Sequence, residues 1–214
     1  MQITIFKDIK VTSQPFYRDV HVILKRIQEG ASKDLVKKIR AEKNKEARNL
    51  LKQKLPAVCF SGKFTKRNDK SLQEHSGLLC LDFDGYATAK EMLSDKEKLT
   101  KNKHIYSVFV SPSGKGLKAL VRIPADPENH VNYFVSMQNN LNSTYFDKTC
   151  KNISRVCYES YDPLIYINEQ SSKWDKIEEE QYTEVTKNID IPTIPITDEN
   201  KIVNILKKWW EKKY

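Results

Sequence analysis

The chain has 214 residues, of which 39% are apolar and 30% charged, so it can build a core and is not globally disordered. Its 37 Lys and Arg residues against 28 Asp and Glu give a net charge of +9, which favours an anionic partner such as nucleic acid or a nucleotide. Four scattered cysteines without a C-x-x-C pair argue against a zinc site or a disulfide framework. The N-terminus lacks a signal-peptide pattern and no apolar stretch could span a bilayer, so we expect a cytoplasmic protein without membrane contact.

The predicted elements form an irregular series of strands and helices. In chain order, the apolar periodicity predicts a strand at 3–6, a helix ending at Gly30, a charged helix over 32–51, a strand at 56–60, a polar loop over 61–71, a buried strand at 77–83, a helix over 87–99, paired strands at 105–110 and 118–123, a helix over 127–141, and strands at 155–158 and 164–167. The polar stretch 169–196 predicts a linker. Residues 197–214 predict an amphipathic C-terminal helix, the candidate start of a further domain.

Two aspartates follow the most apolar run of the chain. Asp82 and Asp84 come at the end of the predicted strand 77–83, and residues two apart in a strand point to the same face. Two carboxylates so close repel each other unless a cation lies between them, and oxygen ligands favour Mg²⁺ or Mn²⁺. The alternative is an acidic turn, in which Asp84 and Gly85 only reverse the chain.

A glycine-rich segment, 111–116, joins two predicted strands of a hairpin. Gly114 and Gly116 allow backbone N–H groups at its tip to approach a phosphate, and Lys118 follows on the returning strand as a candidate counter-ion. The segment is not a P-loop, because Phe109 stands where the first glycine belongs and Gly116 stands where the Ser or Thr belongs. The alternative is an ordinary hairpin with a surface lysine.

A third acid, Asp147, precedes an arginine, Arg155, that enters a predicted strand. Arginine suits phosphate because its planar guanidinium donates two parallel hydrogen bonds. The alternative is a capping aspartate and a surface arginine. Lys63, Lys66 and Arg67 lie in the predicted polar loop, where they could guide template or nucleotide or could simply be solvated.

The order and spacing of these clusters resemble the archaeo-eukaryotic primase superfamily, the primase-polymerases. Members of that superfamily have an acid pair, a hairpin element with Ser and His, and a single Asp that is often followed by Arg. Four segments are also similar in sequence to VirE N-terminal-like primase domains, namely 60–64, 74–84, 111–118 and 154–163. The resemblance covers about residues 55–168. It departs from many superfamily members at Lys118, which stands in the place of the histidine.

The resemblance implies both a fold and a site. The implied fold is α+β, with a mostly antiparallel, RRM-like sheet and flanking helices, in a primase-polymerase catalytic domain at 1–168. Two Mg²⁺ or Mn²⁺ ions are implied at Asp82, Asp84 and Asp147. Contacts with the phosphates of a nucleotide are implied for Ser113, Gly114, Gly116, Lys118 and Arg155.

The implied function is template-directed nucleotidyl transfer, as a DNA primase, a DNA polymerase or both, in the replication of a mobile element, phage or bacterial system. The implied partners are a single-stranded DNA template and nucleoside triphosphates, with a helicase domain or protein as a further candidate. Two alternatives stay open. Asp82 and Asp84 are also similar to the nucleophile strand of haloacid-dehalogenase-type phosphatases, although Tyr86 replaces the expected Thr. A catalytically silent module that binds single-stranded nucleic acid would carry the same basic charge.

Overall fold

Ten strands and five helices form in the part of the chain that the computed structural model describes, which is residues 1–179 together with Lys207. The strands are β1 (Gln2–Phe6), β2 (Phe16–Asp19), β3 (Ala57–Cys59), β4 (Gly62–Phe64), β5 (Leu72–His75), β6 (Leu78–Phe83), β7 (Ile105–Val110), β8 (Leu117–Arg122), β9 (Cys157–Tyr158) and β10 (Tyr166–Ile167). The helices are α1 (Val20–Glu29), α2 (Lys33–Ala41), α3 (Lys45–Lys52), α4 (Ala89–Thr100) and α5 (His130–Leu141). Lys207 is helical. The other residues of the predicted linker beyond 179 and of the predicted C-terminal helix lie outside the described residues.

The strands of residues 1–179 pair in an antiparallel manner, which confirms the predicted α+β class. One four-stranded sheet has the order β2-β1-β3-β9, and a second has the order β10-β7-β8-β6. Strands β4 and β5 form a separate hairpin. The apolar side chains are therefore buried by two four-stranded sheets and the helices, rather than by the one core sheet that the sequence predicted.

Strand β6 is apolar because both of its faces are buried. Leu79, Leu81 and Phe83 belong to a cluster with side chains of α4 and α5, whereas Leu78 packs with side chains of α1 and β3. Since side chains alternate along a strand, Asp82 projects on the same face as Leu78. The strand therefore delivers its terminal acid on the side where the first sheet packs.

The charged segment predicted as one helix over 32–51 is two helices, so this prediction was wrong. The backbone is extended at Glu42, where α2 ends, and again at Asn44. The side chain of Asn44 accepts hydrogen bonds from the backbone N–H groups of Glu46 and Ala47, which starts α3. An asparagine cap satisfies donors that would otherwise have no partner at a helix start, and it overrides the helical propensity of the flanking lysines.

The region predicted as a polar loop over 61–71 instead begins with β4, whose partner strand is β5. The two strands approach closely at Gly62, where a Cβ atom would lie 2.2 Å from the carbonyl oxygen of Glu74. Glycine is therefore required there, and the sequence analysis did not recognise this use of it. Strand β2 was also missed.

The chain remains packed on the folded unit beyond residue 168. The backbone N–H of Trp174 donates to the carbonyl oxygen of Arg122 at 2.7 Å, and its indole N–H donates to Ser136 Oγ at 3.1 Å. Trp174 is buried in the same cluster as α4 and α5. In the described part of the chain, no helix combines the length and the apolar character needed to cross a membrane.

Candidate metal and nucleotide site

The end of β6 places Asp82 directly opposite Lys118 of β8. The ammonium group of Lys118 forms an ion pair with Asp82 Oδ2, and the two side chains are only 14% and 12% exposed. Burial alone would lower the pKa of Lys118, but the neighbouring Cys157 and Asp82 outweigh it and raise this pKa. One acid of the predicted pair is therefore neutralised by a cation of the chain itself. The lysine that was predicted to bind phosphate contacts a carboxylate in this structure.

Asp147 lies beside Asp82 because the main chain around it continues the pairing of β6. The backbone N–H of Asp147 donates to the carbonyl oxygen of Asp82 at 2.9 Å, and the N–H of Asp84 donates to the carbonyl oxygen of Tyr145 at 2.9 Å. Between these two bonds, Phe83 and Phe146 form an antiparallel bridge and pack edge to face. Two acids that are 65 positions apart in the sequence are thus joined by main-chain hydrogen bonds.

Cys150 belongs to the same group, and the sequence analysis missed it. Ligand atoms of Asp82, Asp147 and Cys150 lie within 4.8 Å of one another. Burial raises the pKa of Cys150 to about 12, so its thiol is neutral and donates to Asp147 Oδ2 at 3.0 Å. Burial alone would raise the pKa of Asp147, but hydrogen bonds from Cys150 and Thr149 lower it. The thiol therefore helps to lower the pKa of this carboxyl group, and only the spacing of three residues after Asp147 could have indicated the contact.

The carboxylates have room for a cation. Asp82 Oδ1 is buried and has no hydrogen-bond partner within the described chain, a situation that is costly unless an ion or water binds there. Asp84 lies at the exposed rim, where desolvation and the charge of Asp82 raise its pKa. Asp84 does not belong to the group that lies within 4.8 Å. The residues fit a hard divalent cation held by Asp82 and Asp147, with Asp84 adjacent.

The hairpin tip packs against the acids at Gly116. A Cβ atom at Gly116 would lie 2.2 Å from Asp84 Oδ1, so no other residue fits without displacing the tip. The tip is closed by a hydrogen bond from the N–H of Ser111 to the carbonyl oxygen of Gly116 at 2.8 Å. The hydroxyl groups of Ser111 and Ser113 lie 3.0 Å apart. Gly114, in contrast, packs against Arg40 and lines a neighbouring depression.

A cleft of about 190 Å³ brings most of the predicted residues together. Its lining consists of Lys52, Asp82, Asp84, Ser111, Pro112, Ser113, Lys118, Arg155, Val156 and Tyr158. Arg155 Nη2 lies 4.0 Å from Asp147 Oδ2. Lys52, in the last turn of α3, lies just beyond the predicted helix over 32–51 and was not among the predicted site residues; burial lowers its pKa. Three cationic side chains therefore face the acids across one small space.

Two of three comparisons with known proteins give a match for this chain. A family model described as BT4734-like, N-terminal domain, matches residues 50–167, which is more than half of the chain. Among solved structures, the chain is similar to the AEP domain (PP-N190) of the cyanophage S-2L primase-polymerase (PrimPol). The TM-score is 0.42 and the sequence identity 11%, over 81% of this chain and 83% of that chain. No curated protein matches the chain. The family description names no activity, so we infer the function from this chain's own residues.

Proposed function

We propose that this chain, which belongs to the BT4734-like N-terminal domain family, catalyses template-directed nucleotidyl transfer as a DNA primase, a DNA polymerase or both. The observation that carries the proposal is the placement of Asp147 beside Asp82 by a backbone hydrogen bond of 2.9 Å. That placement, with an Asp82 Oδ1 that has no hydrogen-bond partner among the described residues, would suit a divalent cation beside a cleft lined by three cationic side chains. The resemblance to primase-polymerases implies Asp82 and Asp147 together with Asp84.

The acids would hold Mg²⁺ or Mn²⁺ through their carboxylate oxygens. Ions bound to Asp82, Asp84 and Asp147 would lower the pKa of an attacking 3′-hydroxyl and neutralise charge on the leaving pyrophosphate. Main-chain bonds fix Asp82 and Asp147, and the hydrogen bond from Cys150 helps to lower the pKa of Asp147. The chain therefore supplies a site whose geometry is set before any ligand binds.

The remaining lining suits the phosphates of a nucleoside triphosphate. Lys52, Lys118 and Arg155 bring positive charge to the cleft, and Ser113 brings a hydroxyl group at the hairpin tip. A divalent ion held by Asp82 would supply the positive charge that Lys118 now supplies, so the ammonium group of Lys118 would be available to a phosphate oxygen. A lysine provides charge at every relevant pH, but it cannot exchange a proton as a neutral histidine can.

The proposal is tested by incubating the chain with labelled nucleotides, a single-stranded DNA template and Mg²⁺ or Mn²⁺. We expect metal-dependent primer synthesis or extension that is lost in Asp82→Asn and Asp147→Asn. The matched control is Asp34→Asn, which makes the same change on the exposed face of α2 and should keep full activity. Full activity in both site variants would contradict the proposal.

The same assay separates the two alternatives. Release of phosphate from small phosphoesters, without nucleotide incorporation, would support a phosphatase. Binding of single-stranded DNA without turnover would support a silent binding module. Such a module gains nothing from three acids in its groove, because they repel the DNA backbone.

A further inference from the structure

A second cleft, of about 390 Å³, opens beside the catalytic cleft and shares Arg155, Val156 and Tyr158 with it. Its other lining includes Arg67, and Asn152 contributes an amide group. Among the described residues, no aspartate or glutamate belongs to its lining. Two arginines thus line one open space, although Asp147 lies 4.0 Å from Arg155 on its other side. The proposed function uses Arg155 but not Arg67.

Arg67 has unused hydrogen-bonding capacity. Its backbone is fixed, because its N–H donates to the carbonyl oxygen of Thr12 at 2.9 Å. Its Nε is buried and has no hydrogen-bond partner in the part of the chain that the structure describes. The guanidinium also carries N–H donors on its two terminal nitrogens, which can bind an anion in the cleft.

The two arginines are held on a common frame. Asp69, two residues after Arg67, accepts a hydrogen bond at 2.9 Å from the backbone N–H of Ser154, the residue before Arg155. The backbone N–H of Arg155 also donates to the carbonyl oxygen of Asn152 at 3.0 Å. The loop that carries one arginine is therefore tied to the loop that carries the other. This connection holds the two arginines on neighbouring loops, and an anion bound between them would offset the repulsion of their charges.

A further groove, of about 590 Å³, is lined by residues next to Ile9 in the sequence, which itself lines the cleft. Its lining includes Lys7, Lys10 and Lys54, with Asp8 as the one acid among the described residues. Several cationic depressions formed by neighbouring segments suit an extended polyanion better than a single small ion.

We infer that the cleft between Arg67 and Arg155 is a second phosphate-binding site, which holds a phosphodiester group of the nucleic-acid strand that leaves the catalytic cleft. This inference rests on the proposed function for the identity of the strand. The same chemistry would also hold the polyphosphate tail of a nucleotide, so the test contains a separate arm for each source.

The test measures binding rather than synthesis. Fluorescence anisotropy follows a labelled single-stranded oligonucleotide in one arm and a labelled nucleoside triphosphate in the other, in the presence of Mg²⁺. We expect Arg67→Ala to weaken oligonucleotide binding roughly tenfold, which is the effect of losing one charge-assisted contact. The slope of log affinity against log salt should fall by about 0.7, the value for one phosphate on a single strand.

The matched control is Arg18→Ala. Arg18 is exposed on β2, at the opposite edge of the sheet from β9, so its loss removes the same charge far from the cleft. Arg67→Lys should recover part of the affinity, since charge without the planar fork still attracts phosphate. Circular dichroism of each variant reports whether the fold is retained.

Weaker binding of the oligonucleotide supports the strand, whether or not the triphosphate also binds more weakly. Weaker binding of the triphosphate alone assigns the cleft to a nucleotide tail and overturns the strand. Unchanged binding in both arms overturns the phosphate site. Repeating the oligonucleotide arm with Asp82→Asn separates this inference from the proposed function. A silent binding module would still lose affinity with Arg67→Ala, while a polymerase could be active without any contribution from Arg67.

Discussion

The ion pair between Lys118 and Asp82 predicts that Lys118→Met destabilises the protein in the absence of divalent metal. Methionine keeps the length and apolar stem of lysine but removes its charge. Asp82 would then remain largely buried beside Asp147 without a counter-charge. Removing one partner of a buried ion pair costs about 3–5 kcal/mol. We expect a loss of this order in the free energy of unfolding.

Divalent metal should restore much of this stability. A ligand that binds only the folded state stabilises it by RT ln(1 + [L]/Kd), which is about 2.7 kcal/mol at a hundredfold excess over Kd. Because the ammonium group of Lys118 no longer competes for Asp82, the variant should gain more from Mn²⁺ than the wild type gains. Urea unfolding with and without Mn²⁺ measures both free energies.

A double variant provides the control. Asp82→Asn with Lys118→Met removes both charges, so it should lose less stability than the sum of the two single changes and should not respond to Mn²⁺. Two results together would refute the reasoning. Without metal, Lys118→Met and the wild type would have the same free energy of unfolding, and Mn²⁺ would stabilise both proteins equally.

Three further predictions concern the hairpin tip, a buried pair of histidines and Cys150. Gly116→Ala should displace the hairpin tip and weaken nucleotide binding at least tenfold. Gly114→Ala, where φ is +71° and the nearest atoms would lie 3.4 Å from the added Cβ, should cost only about 1 kcal/mol of stability. Equal effects of the two changes on nucleotide titration and on unfolding would contradict this. Lowering the pH from about 7.5 to about 5.5 should destabilise the fold by on the order of 1 kcal/mol per histidine. Burial lowers the pKa of His75 to about 4 and of His130 to about 3, so the folded rings stay neutral while the unfolded chain takes up protons below 6.5; a flat urea-unfolding profile across this range would be inconsistent. Cys150→Ser keeps a donor beside the third acid and should retain Mn²⁺ affinity in a calorimetric titration, and a loss greater than tenfold would show that the sulfur itself binds metal.

The sequence predicted strand β6 well because its signal is local. The apolar run before Asp82 has one physical cause, the burial of both faces of β6, and that cause is visible in the residue order. The charged helices were predicted less well. The cap at Asn44 is a single side chain within a long charged segment whose other residues favour a continuous helix.

The site was predicted in part, for reasons that concern distance along the chain. Asp147 was connected with Asp82 only by the order of motifs, since no periodicity relates residues so far apart. Cys150 was not among the predicted site residues, because its contact with Asp147 depends on the turn between them. Lys52 was also missed, since its position at the cleft follows from tertiary packing.

The bridge between Phe83 and Phe146 makes the length of one surface connection critical. Loops usually accept extra residues at little cost, but the segment after α5 is an exception. One residue added between Phe146 and Asp147 would turn the carboxylate to the opposite face of the strand pair, although all the original side chains would still be present. The segment between α5 and Tyr145 can therefore accept extra residues, whereas the segment from Tyr145 to Asp147 cannot.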